Sequence, residues 1–218
     1  MTGAETGAVP PAGWQTTSPE EEAEDAAALL QALGTGPAAV FGTSSGGTFA
    51  LCLAIRYPGT VRGAILHEPA FYGLFEDLDA VRAPVRALVR EAMDAGGLPA
   101  AVERFWCYVA GDDGWARLTP ALRERLQASA GTLFGIELGT YERYLRADET
   151  LAALPAPVRL LVSRDSLPFF AEMAARLGER LGVAVANTPG TYAAYHDHPD
   201  ELAEAVRPFL REVTAVST

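Results

Sequence analysis

The stretch AAVFGTSSGGTFALCLA, residues 38 to 54, constrains the fold more than any other part of the sequence. A short apolar run ends in a cluster of glycines and serines, and a longer apolar run follows at once. The short run, bounded by turn signals, is typical of a buried parallel strand, and the longer run fits a buried helix. Ser44 lies in the turn between them, either as a nucleophile or as part of a tight loop.

Strands and helices alternate on both sides of a long helical stretch. Residues 18 to 71 and 151 to 218 are predicted to form an α/β core, whereas residues 72 to 150 show a helical period and no strand signal. Residues 1 to 17 are rich in Gly, Pro and Thr and are predicted to be a loop or disordered arm. The pattern predicts a parallel sheet covered by helices on both faces, with an all-helical cap insertion. The predicted strands are 38–42, 61–67, 158–163 and 183–188.

Composition excludes several classes of function. The net charge is −11 and all 17 basic residues are arginine, with no basic stripe, so we expect no nucleic-acid partner. No apolar run reaches the ~18 residues of a membrane span, and the N-terminus lacks the pattern of a signal peptide. Cys52 and Cys107 are predicted to be buried free thiols in a reducing compartment. We therefore expect a cytoplasmic protein with no membrane partner, metal or cofactor.

The turn around Ser44 has the composition that nucleophilic catalysis needs. A sharp turn between strand and helix exposes the serine oxygen and aims the amide of Ser45 at a developing oxyanion. The close approach of the two chain segments would explain the glycines at Gly42 and Gly46. A glycine-rich turn with incidental serines is the alternative. A dinucleotide-binding turn does not fit, because the G-x-G-x-x-G spacing is absent.

On these residues the chain resembles the α/β-hydrolase family. The resemblance rests on three stretches, which cover most of residues 20 to 71 and 155 to 211: EDAAALLQALGTGPAAVFGTSSGGTFALCLAIRYPGTVRGAILHEPA, APVRLLVSRDS and NTPGTYAAYHDHPDELAEAVRPFL. It implies a nucleophile at Ser44, an oxyanion donor at the amide of Ser45 and an acid at Asp165. A carboxylate favoured by a helix N-terminus is the alternative for Asp165.

The position of the base departs from the family pattern. Tyr192 occupies the position where the resemblance implies a histidine, seven residues before Pro199, and a tyrosine is a poor base at neutral pH. His196, in the following loop, is the first choice for the base. His198 directly precedes the proline and is expected to cap the helix start, with Tyr192 and His198 as alternative acid or base. His67 ends the second strand and is expected to be a buried, hydrogen-bonded wall residue.

The N-terminal part of the family is also missing from the pattern. Family members carry several strands before the helix at residues 19 to 33, and a loop among them supplies the second oxyanion amide. The residues before 18 do not match those strands, so the strand at 38 to 42 is predicted to be an exposed sheet edge. Either a homodimer covers this edge, or the natural protein begins further upstream.

Three functions remain open. The first is hydrolysis of a small or medium ester, thioester or lactone, with Ser44, His196 and Asp165 as the triad. The second is a non-hydrolytic lyase, cyclase or isomerase, in which Tyr192 donates a proton or hydrogen bond. The third is a non-catalytic member that binds a ligand or a partner. Cap aromatics are expected to line an acyl pocket, with packing as the alternative for about half of them: Phe105, Trp106, Tyr108, Trp115, Phe134, Tyr141 and Tyr144.

Overall fold

The computed structural model describes residues 16–137, 144, 151, 154 and 156–215. Its centre is a four-stranded sheet in which the strands follow one another in chain order. Each neighbouring pair is parallel. The strands are β1 (Ala38–Thr43), β2 (Val61–His67), β3 (Val158–Ser163) and β4 (Val185–Thr188). The parallel sheet confirms the predicted fold class.

Eight helices surround the sheet in the described part of the chain. They are α1 (Pro19–Leu33), α2 (Ser45–Arg56), α3 (Leu78–Arg117), α4 (Pro120–Ala128), α5 (Ala130–Thr132), α6 (Pro168–Leu181), α7 (Ala194–Asp197) and α8 (Pro199–Ala215). The local sequence explains the bounds of α1. The Ser18 hydroxyl accepts a hydrogen bond from the Glu21 amide at 3.1 Å, and Gly34 ends the helix with a left-handed φ of 62°.

The two faces of the sheet bury different side chains. Ile65 and Leu161 pack against Phe209 and other apolar residues of α8. The next residue of β2, Leu66, and the preceding residue of β3, Leu160, belong to the core formed with α1, α2 and α6. This alternation follows from the two-residue period of a strand. Burial of both faces explains why the central strands β2 and β3 are mostly apolar.

Helices fill the described chain between β2 and β3, where the helical cap was predicted. The long α3 is interrupted at Gly97 and Gly111, which have φ values of 71° and 79°. The helical period predicted for this stretch therefore forms one long run of helix with two breaks. The end of the predicted cap lies largely outside the described residues, so its boundaries stay predictions.

Strand β1 lies at an edge of the described sheet. Its Phe41 is 44% exposed, and an apolar groove of about 340 Å³ runs between β1 and α8. No strand precedes α1 within the described residues. The homodimer through this edge stays a prediction, which light scattering of the purified chain would test.

Two further expectations concern membrane-spanning helices and thiols. Among the helices described, none is both long and apolar enough to cross a membrane. Cys52 and Cys107 are both free. Cys52 is buried as expected, but Cys107 is partly exposed, so the prediction of burial is wrong for Cys107. It lies on α3, where it packs partly buried against an apolar cluster of the cap.

Candidate active site

Ser44 is the single residue between β1 and α2, and it forms the sharp turn between them. Its φ of 53° and ψ of −124° lie in a region that residues with a side chain rarely adopt. Hydrogen bonds fix this conformation from the end of β2. The Ser44 amide donates to the His67 carbonyl at 3.0 Å, and the Ala70 amide donates to the Ser44 carbonyl at 3.2 Å. The neighbouring strand therefore holds the strained residue in place.

The close approach in the turn requires glycine at residue 42 but not at residue 46. A Cβ built on Gly42 would lie 2.6 Å from the Gly47 nitrogen and would also overlap the Gly46 carbonyl. A Cβ on Gly46 would meet nothing within 4 Å. The expected crowding is confirmed for Gly42 and wrong for Gly46, because the close approach is made by the backbone of residue 46.

Tyr192 lies directly against Ser44. Its side chain is hydrogen-bonded to that of Ser44, and the residue is only 8% exposed. Burial raises the pKa of Tyr192 to about 12, the negative charge of Glu68 raises it further, and the hydrogen bond with Ser44 acts in the opposite direction. The phenol is therefore neutral at physiological pH, where it can donate a hydrogen bond but is a weak base.

His196 lies in the short helix α7 and not in a loop as predicted, and both His196 and His198 are engaged elsewhere. His196 Nδ1 lies 3.2 Å from a carboxylate oxygen of Asp197, and His198 Nδ1 lies 3.5 Å from Glu201. Within the described structure, neither imidazole hydrogen-bonds Ser44. His198 precedes α8 directly, as expected for a helix-start residue. The roles of His196 and His198 as base stay predictions, and the geometry does not support them.

His67 is a buried wall residue, as expected. It is fully buried, and its Nδ1 and Nε2 lie 3.0 Å from the hydroxyls of Thr43 and Ser163 respectively. Burial lowers the pKa of His67 to about 4, so the ring is neutral at physiological pH. Because both ring nitrogens are occupied, the imidazole is not available to Ser44.

Asp165 lies just past the end of β3, as expected. The residue is exposed, and no hydrogen bond or ion pair joins its carboxylate to another described residue. Its backbone amide donates to the Gly190 carbonyl at 3.0 Å. The role of Asp165 as acid stays a prediction.

Glu68 is a buried carboxyl group that the sequence analysis did not assign to the site. It is fully buried and has a left-handed φ of 47°. The Ser163 amide and the Ser166 hydroxyl donate to its two oxygens, each at 2.6 Å. Burial raises its pKa, and these hydrogen bonds oppose the shift. Its place directly after β2, where function gathers in parallel sheets, is the sequence signal that could have identified it.

Aromatic side chains surround Tyr192. The Trp106 ring meets it edge-on with centroids 6.4 Å apart, and the Phe170 ring lies at 5.2 Å. Among the described residues, the buried indole N–H of Trp106 has no hydrogen-bond partner, so an acceptor on a bound compound could pair with it. Five predicted pocket aromatics belong to the same apolar cluster: Phe105, Trp106, Tyr108, Trp115 and Phe134. Tyr144 packs in the core with α1 and α2, and Tyr141 lies outside the described residues.

The site offers hydroxyl and amide chemistry. Ser44, Tyr192 and the first amides of α2 meet at the ends of β1 and β4. In the described part of the chain, no group of three or more His, Cys, Asp or Glu side chains could hold a metal ion. The arrangement can present an oxygen nucleophile to a carbonyl and donate hydrogen bonds to the oxygen of that carbonyl.

Comparisons with known proteins agree with this geometry. Residues 12–107 match the family model described as alpha/beta hydrolase fold. No curated protein gave a significant match. The match covers less than half of the chain, and together with the parallel sheet it supports the α/β-hydrolase fold.

Solved structures support the same fold over nearly the whole chain. A thermophilic esterase from Thermogutta terrifontis is 23% identical, with a TM-score of 0.66 and coverage of 91% of this chain and 74% of the esterase. A structure from a study of carboxylesterases of Nitrososphaera gargenis is 20% identical, with a TM-score of 0.69 and coverage of 93% and 75%. MenH from S. aureus is 17% identical, with a TM-score of 0.71 and coverage of 94% and 80%. At these identities the likeness establishes the fold.

Proposed function

We propose that the chain is a serine hydrolase that acts on a small or medium ester, thioester or lactone. The observation that carries the proposal is the strained conformation of Ser44 at the start of α2. Such strain persists at functional sites because it holds a side chain in a reactive position. The esterases among the similar structures support the same class of reaction.

The reaction begins with attack of the Ser44 oxygen on the carbonyl carbon of the substrate. The tetrahedral oxyanion accepts hydrogen bonds from the Ser45 amide and the N-terminal end of α2, which carries partial positive charge. The bond from the carbonyl carbon to the leaving oxygen or sulfur then breaks, and the serine proton passes to the leaving group. Water later cleaves the acyl ester and restores Ser44.

Tyr192 makes the hydrolysis of the acyl ester on Ser44 slow. A water molecule attacks an acyl ester efficiently only when a base removes its proton, and a phenol with a pKa of about 12 does so poorly at neutral pH. No imidazole in the described structure hydrogen-bonds Ser44. We therefore expect the acyl group to stay on Ser44 much longer than in an enzyme with a histidine beside its serine.

A second candidate function is a non-hydrolytic reaction on a carbonyl compound, as in a lyase, cyclase or isomerase. The hydrogen bond between Tyr192 and Ser44 favours it, because the neutral phenol and the serine hydroxyl can both donate to a substrate oxygen. Ser44 would then act without forming a covalent bond. Labelling of Ser44 separates this candidate from the first.

The test of the proposed function is covalent labelling of Ser44. Wild-type protein is treated with a fluorophosphonate and with p-nitrophenyl acetate, and the modified residue is mapped by mass spectrometry. Ser45→Ala is the matched control, because it removes the neighbouring hydroxyl and keeps the backbone amide. We expect labelling of wild type and Ser45→Ala and none of Ser44→Ala. Wild-type protein that is folded and takes neither label would contradict the hydrolase.

A further inference from the structure

We propose that Glu68 is a positioning residue of this site, which holds Tyr192 against Ser44 through the turn between β3 and α6. The inference rests on the proposed function at Ser44 and assigns a residue that the family resemblance did not assign. It concerns a carboxyl group that does not touch the reacting atoms itself. Hydrogen bonds connect it to the backbone segment that carries Tyr192, and Tyr192 in turn contacts Ser44.

The first step joins Glu68 to the turn after β3. The Ser163 amide donates to one carboxylate oxygen and the Ser166 hydroxyl to the other, both at 2.6 Å. Such short hydrogen bonds are characteristic of a charged acceptor. Glu68 therefore fixes both ends of the turn that contains residues 163 to 166.

The second and third steps join this turn to the segment that carries Tyr192. The Arg164 amide donates to the Thr188 carbonyl at 2.9 Å, and the Asp165 amide donates to the Gly190 carbonyl at 3.0 Å. Tyr192 follows Gly190 by two residues. A displacement of the turn would thus displace the backbone next to Tyr192.

The last step closes a ring of contacts around Ser44. Tyr192 is hydrogen-bonded to the Ser44 side chain. On the other side, His67 and Ala70, which flank Glu68, are hydrogen-bonded to the Ser44 backbone. Glu68 lies between two segments that both end at the nucleophile, and it fixes their relative positions.

The cost of placing a carboxylate here argues for more than packing. A buried charge is expensive unless it is paired, and a left-handed backbone adds strain. The adjacent His67 offers no compensating charge: its Nε2 lies 3.9 Å from Glu68, but burial keeps the ring neutral. Tyr192 is a titratable group that interacts with both Glu68 and Ser44. A site that needs a rigidly held phenol accounts for this cost.

The first experiment measures the acylation rate of Ser44 in variants of Glu68. Glu68→Ala should slow acylation about tenfold, because small displacements of reacting groups cost this much or more. Glu68→Gln should restore the rate to within about threefold, since its carbonyl still accepts from Ser163 and its amide can donate to the Ser166 hydroxyl. Glu172→Ala, which removes an exposed carboxylate from α6, should leave the rate unchanged.

The double variant of Glu68→Ala with Tyr192→Phe tests whether Glu68 acts through Tyr192. If Glu68 acts through Tyr192, then Glu68→Ala should not slow acylation further in the Tyr192→Phe background. A tenfold loss that persists in that background would overturn the proposal. Should Glu68→Ala fail to fold, Ser166→Ala removes one of the two hydrogen bonds and should show a smaller loss with the same dependence on Tyr192.

A measurement that needs no activity keeps this proposal separate from the proposed function. In protein labelled with ¹³C at the tyrosine ζ-carbon, the Tyr192 signal is assigned by its absence from Tyr192→Phe. The chemical shift of the Tyr192 signal should change in Glu68→Ala and in Ser166→Ala, and it should be the same as in wild type in Glu172→Ala. If wild-type Ser44 takes no label, the proposed function fails while this test still decides the role of Glu68. An unmoved signal in folded Glu68→Ala and Ser166→Ala would overturn the proposal.

Discussion

The Tyr192 side chain is hydrogen-bonded to Ser44, at the position where the sequence resemblance implies a histidine. The contact replaces a base that titrates near neutral pH with a phenol whose pKa is about 12. The strained backbone of the turn at Ser44 is present, but the side chain beside it is a tyrosine. The following predictions separate the contribution of the turn from that of its partner.

The pH dependence of Ser44 acylation should reflect Tyr192. Because the phenol accepts a proton well only as tyrosinate, the acylation rate should rise with pH through the alkaline range and show no plateau near pH 7. Tyr192→Phe should lower the rate about tenfold or more and flatten the rise. Release of p-nitrophenol at a series of pH values measures both. A plateau near pH 7 that survives in Tyr192→Phe would point to an imidazole instead.

Replacement of His196 or of His198 should leave acylation nearly unchanged. A base at His196 would make His196→Ala as damaging as Ser44→Ala, since the members of a triad act as a unit. Because the His196 ring is paired with Asp197, we expect less than about a threefold loss. His198→Ala should mainly lower the melting temperature, since His198 lies at the start of α8. An inactive, folded His196→Ala variant would restore His196 as the base.

An ion pair between the cap and α7 should stabilise the fold in a pH-dependent way. Arg117 Nη2 lies 3.0 Å from Asp197, whose side chain is 3% exposed. Burial alone would raise the pKa of Asp197, but hydrogen bonds from Arg117 and His196 outweigh it and lower the pKa. The stabilisation should therefore be present above the unfolded-state pKa of about 4 and be lost as the pH falls through the lower folded-state pKa.

Arg117→Met tests this ion pair. Because the guanidinium is about half exposed, we expect a loss of only about 0.5–1 kcal/mol at pH 7. This loss corresponds to about 1–4 °C in melting temperature. The difference from wild type should shrink as the pH falls below about 4. Arg86→Met, which breaks an exposed pair with Asp79 within α3, is the control and should cost less. An Arg117→Met loss that does not change with pH would contradict the account.

Alanine at the two turn glycines should have opposite consequences. Gly42→Ala places a methyl group against the backbone of residues 46 and 47, so it should cost about 1–3 kcal/mol or more in the free energy of unfolding. Gly46→Ala meets open space in the first turn of a helix and should change stability by less than about 1 kcal/mol. Urea denaturation of both variants measures the difference. Equal losses in the free energy of unfolding would show that the backbone of residues 46 and 47 does not lie this close to Gly42.

The sheet and the turn were predictable because their signals are local. The apolar run of β1 and the glycines around Ser44 fix a strand, a turn and a helix within a few residues. The contacts of Glu68 were not predictable, since its partner Ser163 is 95 residues away. The orientation of His196 depends on Asp197, which pairs with Arg117 of the cap, 80 residues earlier. Such tertiary contacts leave no periodic pattern in the sequence.

The lifetime of the acyl group on Ser44 tests the central claim most directly. Wild type and Tyr192→His are mixed with p-nitrophenyl acetate, excess reagent is removed, and the intact mass is followed with time at pH 7.5. The account predicts that wild type keeps one acetyl group, that Ser44→Ala takes none, and that Tyr192→His loses it at least about tenfold faster. Wild-type protein that is acetylated at Ser44 and deacetylates as fast as Tyr192→His would contradict the claim, because another base would then serve the site.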